Sequence, residues 1–479
     1  MVPRSLLALD PKRCFFAALA IGAATLTLAP PSASAQTIPL DPGPYPFLRY
    51  EQTCRTLADL AARTDIPSEY IQLGADANSC LGFGGEVKER FEHYTNEFFG
   101  KVGIPQENYL LSRIMVDADL HLGENVRTFI QFGREDAANK LLLAPVDRDR
   151  LDLAQGFFDL SSTTELADRV TLRVGRQEIA LGSGRFVVPR EAPNVRGAFD
   201  GVRSFATWEN GSRLDLVLTR PTVIRPGSFD DGPDPHEIFG AAYYTFPVEG
   251  ANHVNIDGYY YLLSSHIGAA DPGHPAGLRN TVGMRLWGGV DPWDYDSDVV
   301  FQFGSQNQSE IRAGGVAAKA GYSFPNGEAW WRPRLVLQAN YFSGTEDPNS
   351  RVINTFIPLY AGPLGFIEPA LQTFENIIDF YPSLKLHPTK SIAIQFGPDF
   401  TWRASTHDAV YLTPGIAVPG TANVPGRYIG TNLILQGSWA ATANLSFLVS
   451  LVHVVAGPAI TNARGKDTDY AAVVAKVSF

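Results

Sequence analysis

The sequence predicts an all-β protein, a transmembrane antiparallel β-barrel of about 18 strands with short periplasmic turns and long extracellular loops. Segments of alternating apolar and polar residues recur from residue 81 to the carboxyl terminus. Short and long connections alternate along nearly this whole region, as an up-and-down barrel requires and a soluble sandwich or propeller does not. The last segment, residues 468–479, alternates up to a terminal Phe479, which is typical of outer-membrane barrels.

The amino-terminal residues have the pattern of a signal peptide. Arg4 and two further basic residues precede an apolar run at residues 14–28, and Ser-Ala-Ser-Ala follows at residues 32–35. We therefore predict that residues 1–35 are a signal peptide, cleaved near Ala35. The alternative is an uncleaved anchor, but the run is short and rich in alanine. No later stretch has about 18 consecutive apolar residues, so we expect an exported chain.

Residues 36–80 are predicted to form an N-terminal periplasmic extension ahead of the barrel, which we place at residues 81–479. Cys14 belongs to the predicted signal peptide, so Cys54 and Cys80 are left as a pair. In an oxidising compartment we expect them to form a disulfide. The alternative is two free thiols, since neither has the neighbours of a zinc site.

Composition narrows the function. The net charge of −11 argues against a nucleic-acid partner. The chain lacks the G-x-S-x-G, H-E-x-x-H and Walker-type motifs, so we do not expect an enzyme. No cofactor is expected, although acidic loops can hold a divalent cation. The acidic residues of predicted loops are Asp147, Asp149, Asp230, Asp231, Asp234, Asp291, Asp294, Asp296, Glu346 and Asp347.

Alternation and turn residues place the strands in order. The predicted strands are residues 81–93, 109–122, 126–132, 152–161, 169–179, 196–207, 213–220, 237–247, 253–264, 279–288, 295–305, 311–324, 330–343, 374–386, 390–404, 428–439, 444–456 and 468–479.

The stretch at residues 169–203 indicates which side of the strands faces lipid and which faces the lumen. Its first strand alternates Val170, Leu172 and Val174 with polar residues that include Arg173. A charge that faces lipid costs ~2–4 kcal/mol at the membrane midplane, so mid-strand charges are expected to face inward. The predicted lumen-facing residues are Arg113, Arg127, Arg173, Arg176, Arg203, Arg213, Arg279, Arg285, Arg332, Arg334 and Lys385, with Asp200 beside Arg203.

Arg176 enters that set only through a further assumption. Strict alternation would turn it outward with Val174, whereas a bulge at Gly175 would turn it inward beside Arg173. Two interpretations of the arginines stay open. They form an electropositive constriction that attracts anions, or they balance carboxylates and hold the shape of the barrel.

Four motifs carry a resemblance. Gly-Arg-Gln-Glu at residues 175–178, Gly-Ser-Gly-Arg at 182–185, Phe-Asp-Gly-Val-Arg at 199–203 and the stretch at 384–394 resemble the alginate-export family of porins. The resemblance implies an eighteen-stranded monomeric barrel whose arginine-rich pore lets a polyuronate leave the cell, with loops that gate both ends. It would place Arg173, Arg176 and Arg203 in the pore. This chain differs in its longer N-terminal extension and in its apolar, proline-rich loops after residues 344 and 404.

The predicted function is that of a passive diffusion channel in the Gram-negative cell outer membrane. Its arginine-rich lumen would pass an anionic polysaccharide such as an alginate-like polyuronate. The alternatives are a general or small-anion porin and, with less support, an outer-membrane hydrolase. The expected partners are the lipid bilayer, the polysaccharide or small anions, and the outer-membrane assembly machinery, which would read the strand that ends at Phe479.

Overall fold

The computed structural model describes residues 44–62, 70–250, 253–271, 273–325, 331–361, 372–412 and 416–479. The predicted signal peptide and its cleavage site lie outside these residues. Within them, eighteen antiparallel strands form a barrel, which closes because the first strand pairs with both the second and the last. The strands are β1 (Cys80–Thr95), β2 (Gln106–Leu122), β3 (Val126–Ala138), β4 (Asp149–Ser162), β5 (Arg169–Gln177), β6 (Phe199–Thr207), β7 (Arg213–Val223), β8 (Glu237–Pro247), β9 (Val254–Ser265), β10 (Gly277–Val290), β11 (Trp293–Gln306), β12 (Ser309–Ser323), β13 (Arg334–Phe342), β14 (Ile377–Leu386), β15 (Ile392–Arg403), β16 (Tyr428–Ala440), β17 (Leu445–Ala456) and β18 (Thr468–Ser478).

The remaining elements are short. The helices are α1 (Cys54–Ala61) and α2 (Pro458–Thr461), with single 3-10 turns at Arg49–Glu51, Glu97–Gly100 and Pro145–Asp147. Short strands at Tyr70–Gln72, Gly232–Pro233 and Val352–Ile353 add to the edges of β1, β7 and β12, and Tyr411–Leu412 pairs with Ile416–Ala417. No helix in the described part of the chain is both long and apolar enough to cross a membrane.

The two faces of the barrel wall differ as the alternation predicts. On neighbouring strands, Phe158 and Leu172 are 45% and 43% exposed, whereas Asp159 and Arg173 between them are 5% and 2% exposed. The outer face is therefore a continuous apolar surface, far larger than soluble monomers tolerate, and the inner face is polar. This arrangement suits a wall that meets lipid outside and encloses polar groups inside.

The connections define the two ends of the barrel. The short turns lie at the same end as Cys80 and Phe479, where Gly85 and Phe479 exchange two backbone hydrogen bonds of 2.8 and 3.0 Å. Short turns are periplasmic in bacterial barrels. The other end carries the long loops, with one exception at Asn307 and Gln308. Both residues have positive φ (46° and 68°), as a tight two-residue hairpin requires.

The N-terminal extension enters the barrel from the periplasmic end. We call residues 44–52 the plug. Arg49 donates a 2.6 Å hydrogen bond to the terminal carbonyl of Phe479 and lies 3.6 Å from Asp117. Tyr50 is buried, its ring lies 5.4 Å from that of Phe157, and its hydroxyl donates 2.6 Å to the carbonyl of Glu178. Part of the predicted periplasmic extension therefore lies inside the lumen.

A disulfide anchors the plug to the wall. Cys54, at the start of α1, is bonded to Cys80 at the start of β1, with 5.7 Å between their Cα atoms. Leu57 of the same helix covers Gly82, where a Cβ atom would come within 2.9 Å of the Leu57 side chain. The plug is thus tethered two residues after its own end.

Candidate functional site

A long loop crosses the lumen. Strand β5 ends at Gln177, and residues 178–198, which we call the inner loop, turn into the barrel before β6 begins at Phe199. Gly182 has φ +58°, and a Cβ there would lie 2.1 Å from the Tyr243 hydroxyl, so only glycine fits this turn. The apolar residues of the loop, among them Phe186, pack against Phe342, Phe356 and Phe374. The loop therefore has its own core inside the barrel.

Ion pairs fasten one end of the inner loop to strands β1 and β2. The Glu191 carboxylate lies 3.0 Å from Lys88 Nζ, 2.5 Å from Arg113 Nη2 and 3.0 Å from Arg196 Nη1. Burial raises the pKa of Glu191, but Arg113, Lys88 and Arg196 outweigh it and hold that pKa well below its usual range. Arg196 also donates two hydrogen bonds, of 2.7 and 2.8 Å, to the Glu178 carboxylate.

Different charges fasten the loop to the opposite side. Arg185 pairs with Asp298 of β11 and lies 3.6 Å from Asp296 on the same strand. Arg190 lies 3.9 Å from Asp271 in the loop after β9. The inner loop thus runs from the β1–β2 wall to the β11 wall and narrows the lumen. Sequence reasoning assigned no role to Arg185, Arg190 or Glu191. The signal available was a cluster of charges in a glycine-rich excursion.

Most of the predicted lumen residues face the interior. They are Arg113, Arg127, Arg173, Arg203, Arg213, Arg279, Arg285, Arg334 and Lys385. Many of the arginines bind carboxylates: Arg173 donates two 2.7 Å hydrogen bonds to Asp159, and Arg203 donates one of 2.7 Å to Asp215. Arg279 instead binds the amide oxygens of two glutamines. Much of this charge is therefore balanced within the wall.

Arg176 and Asp200 do not line the lumen, contrary to the prediction. The pairing of β5 with β6 continues without a bulge through Gly175–Gly201 and Arg176–Asp200. Arg176 therefore points to the same side of the wall as Val174, which is the outer side. Its guanidinium donates to Asp200 (3.0 and 3.2 Å) and to the Leu153 carbonyl (3.0 Å). A Cβ at Gly175 would lie 2.2 Å from the Gly156 carbonyl, so this glycine permits close strand approach.

Arg332 is also not in the lumen. It is exposed and has a φ of +39° in the turn before β13, which begins at Arg334. The sequence predicts a strand from residue 330, but alternation does not determine the direction of Arg332, because this residue precedes the strand. Arg332 instead lies at the periplasmic rim, in the turn next to Trp331, whose carbonyl accepts 2.8 Å from the His387 amide just after Lys385 and β14.

We call Arg332, Arg334 and Lys385 the mouth patch. Arg334 and Lys385 are directly opposite each other on β13 and β14. Like charges directly opposite each other on neighbouring strands destabilise a sheet, and an anion beside them would reduce this repulsion. Asp294 supplies one, 2.5 Å from Arg334. The pKa of the nearby His387 is lowered by burial and then by the positive charges of Lys385 and Arg334.

A buried histidine ties the extracellular loops together. His274 Nδ1 lies 3.0 Å from the Glu237 carboxylate, and Nε2 lies 3.0 Å from the Leu359 carbonyl. Both partners accept hydrogen bonds, so both ring nitrogens carry protons. Burial lowers the pKa of His274, but Asp271 and Glu237 outweigh it and raise that pKa to about 9. Tyr360, beside Leu359, pairs with Val187 of the inner loop.

This histidine predicts a pH effect. Because its folded pKa is raised, the stabilisation is complete below the unfolded value of about 6.5 and is lost as pH rises through about 9. We expect the thermal stability of the wild type to fall between these values more steeply than that of His274→Gln. Melting curves across the range test this. The control is His236→Gln, at an exposed position just before β8. Matching slopes for His274→Gln and the wild type would contradict the role of His274.

A family model now identifies the chain. The model of the alginate-export family matches residues 79–474, from the start of β1 into β18. The chain belongs to the alginate-export family. As a member of that family with an apolar outer wall, it is an outer-membrane β-barrel of the Gram-negative cell and a channel rather than a soluble protein. No curated protein sequence matches it.

Solved structures agree on the fold of this family member. OccD3 (OpdP) of Pseudomonas aeruginosa matches with a TM-score of 0.56 and 9% identity, covering 92% of this chain and 99% of that one. The outer membrane protein opdK of the same organism gives 0.55 and 8%, covering 83% and 98%. A BenF-like porin from Pseudomonas fluorescens Pf-5 gives 0.54 and 9%, covering 83% and 99%. At such low identity the likeness concerns the barrel alone.

Proposed function

We propose that this protein is a passive channel through which an anionic polysaccharide of the polyuronate class leaves the periplasm. The mouth patch is the observation that carries the proposal. It lies at the end where such a polymer would enter, and it holds two cations opposite each other on neighbouring strands. Guanidinium groups bind carboxylates in a planar, two-point geometry, and a second cation nearby suits the next sugar of the chain. Family membership supports the same class of solute.

The route beyond the mouth leads past the inner loop. Arg285 of β10 faces the interior, where it binds Asp296 (2.9 Å), and Arg185 of the inner loop reaches the same carboxylate from the other side (3.6 Å). A polyanion that competes with Asp296 would meet both guanidinium groups. Because the plug and the inner loop lie in this route, we expect both of them to shift when a polymer passes.

Planar-bilayer recording of the purified protein tests the proposal. We expect oligouronates added on the periplasmic side to block the current. Arg334→Gln with Lys385→Gln should weaken the block at least about tenfold, because hydrogen bonds to charged groups contribute ~1.5–3 kcal/mol each. Arg312→Gln, an exposed arginine at the other end of the neighbouring strand β12, is the matched control.

The rival functions give different results in the same experiment. A general or small-anion porin would show anion preference in its reversal potential, with no block specific to oligouronates over neutral oligosaccharides. An outer-membrane hydrolase would release shortened products into the chamber. Block that is unchanged in the double variant would overturn the role of the mouth patch. Recognition of the Phe479 strand by the assembly machinery stays a prediction.

A further inference from the structure

Three carboxylates meet at the extracellular end of the wall. Asp149 and Asp152 belong to β4, and Asp231 belongs to the β7–β8 loop. One oxygen from each lies within 4.8 Å of those of the other two. The backbone amides of Asp230 and Asp231 donate to Asp152 (2.9 and 3.1 Å), which fixes the loop against the strand. All of the ligand atoms are oxygens.

One of these carboxylates has a buried oxygen without a hydrogen-bond partner. Asp149 is only 3% exposed, yet its Oδ1 atom accepts no hydrogen bond from any described residue. A buried carboxylate oxygen without a partner is costly, because it loses its water and gains nothing in return. It lies in a group of acids whose separations suit a shared ion. The unpartnered Oδ1 atom is a second observation, separate from the short distances between the three carboxylates, and it indicates that a ligand binds here.

The local negative charge is only partly compensated. Arg176 is one nearby cation, with Nη1 3.6 Å from Asp152, but its other nitrogens bind Asp200. Arg225, in the same loop as Asp231, directs its guanidinium to the carbonyl of Asp230. Glu135 faces Asp149 across the β3–β4 pair and adds a fourth acid. A bound cation would relieve this repulsion.

We propose that Asp149, Asp152 and Asp231 form a calcium site that fastens the β7–β8 loop to the free edge of β4. Calcium accepts six to eight oxygen ligands from carboxylates, carbonyls and water in flexible geometry. Magnesium demands a stricter octahedron, and transition metals favour nitrogen or sulfur ligands, which this cluster does not offer.

The position gives the site a structural purpose. Because β5 ends at Gln177, the upper part of β4 has no strand neighbour on that side. The loop fills the gap, with Ser228 bridged to Leu151 and the Phe229 amide donating 3.0 Å to the Leu151 carbonyl. Just before β4, the Asp147 carbonyl accepts 3.2 Å from Asn194 of the inner loop. The ion would therefore strengthen both the wall and the support of the inner loop.

Calorimetric titration of the chelator-treated, full-length protein with CaCl2 tests the site. We expect one calcium ion per chain and a higher melting temperature when it binds. Asp149→Asn and Asp231→Asn should each weaken binding at least about tenfold, since even indirect partners of a metal change affinity tenfold or more. Glu165→Gln removes the same charge at an exposed position in the β4–β5 turn, at the other end of the barrel, and should bind as the wild type does.

The variants should fold, because each removes repulsion between acids, and their heat-dependent mobility on gels checks this. Their melting temperature without calcium should equal or exceed that of the wild type, while the calcium-dependent rise should vanish. Absence of binding by the wild type would overturn the proposal, as would equal affinity in Asp149→Asn. Titration with MgCl2 that gives the tighter binding would overturn the choice of ion. None of these outcomes depends on the transported solute.

Discussion

Replacing Arg49 and Tyr50 together by alanine is expected to open the periplasmic end of the channel. Tyr50 is 5% exposed, stacks edge-on against Phe157 and carries the guanidinium of Arg173 over its ring at 4.2 Å. Truncating a buried aromatic side chain costs about 3–5 kcal/mol. A loss of 3 kcal/mol would shift the equilibrium constant between the seated and the released plug about a hundredfold toward release. The open probability in single-channel recordings should rise accordingly.

The control for the plug lies just after it, on α1. Arg55 is exposed on α1, so Arg55→Ala should leave the current unchanged. The disulfide at Cys54 keeps the released plug close to the barrel, so closing events should persist in the double variant and vanish when residues 44–52 are replaced by a glycine-serine linker. A double variant with wild-type conductance would mean that ions already pass beside the seated plug.

The barrel itself could be predicted because its signals are local. Alternation fixes which face of a strand meets lipid, and turn lengths fix which end of the barrel each connection lies at. The eighteen predicted strands correspond to the eighteen observed, but their lengths differ. Strand β3 was expected at residues 126–132 and continues to Ala138. Its extracellular part carries Arg134 and Asp136 on the outer face, so the apolar alternation stops before the strand does.

The interior could be predicted only in part. The alternation of apolar and polar residues shows that Arg173 points inward. Its pairing with Asp159 depends on the register between β4 and β5, which cannot be read from the sequence of one strand. The plug and the inner loop have no periodic pattern at all. Their positions depend on contacts between residues far apart in sequence, such as Tyr50 with Glu178. At Arg176, a glycine interpreted as a bulge instead allows close packing of straight strands.

The second large effect is expected from Glu191→Gln in the inner loop. The wild-type carboxylate is shared by Lys88, Arg113 and Arg196, and the amide would leave these buried cations without it. Breaking a buried ion pair costs about 3–5 kcal/mol. We expect about 3 kcal/mol, the lower end, because Arg113 keeps Glu86 and Arg196 keeps Glu178. The variant should show a lower melting temperature and frequent, larger current steps as the loop detaches.

Acid should reproduce this behaviour in the wild type. Because the folded pKa of Glu191 is held far below its usual range, the stabilisation is present above the unfolded value and is lost only as pH falls through the low folded one. The wild-type current should therefore stay quiet through mildly acidic conditions and become noisy only in strong acid, whereas Glu191→Gln should be noisy at every pH. Glu124→Gln, an exposed acid in a periplasmic turn, should follow the wild type. If Glu191→Gln were quiet at neutral pH, the apolar packing around Phe186 rather than the ion pairs would be what holds the inner loop across the lumen.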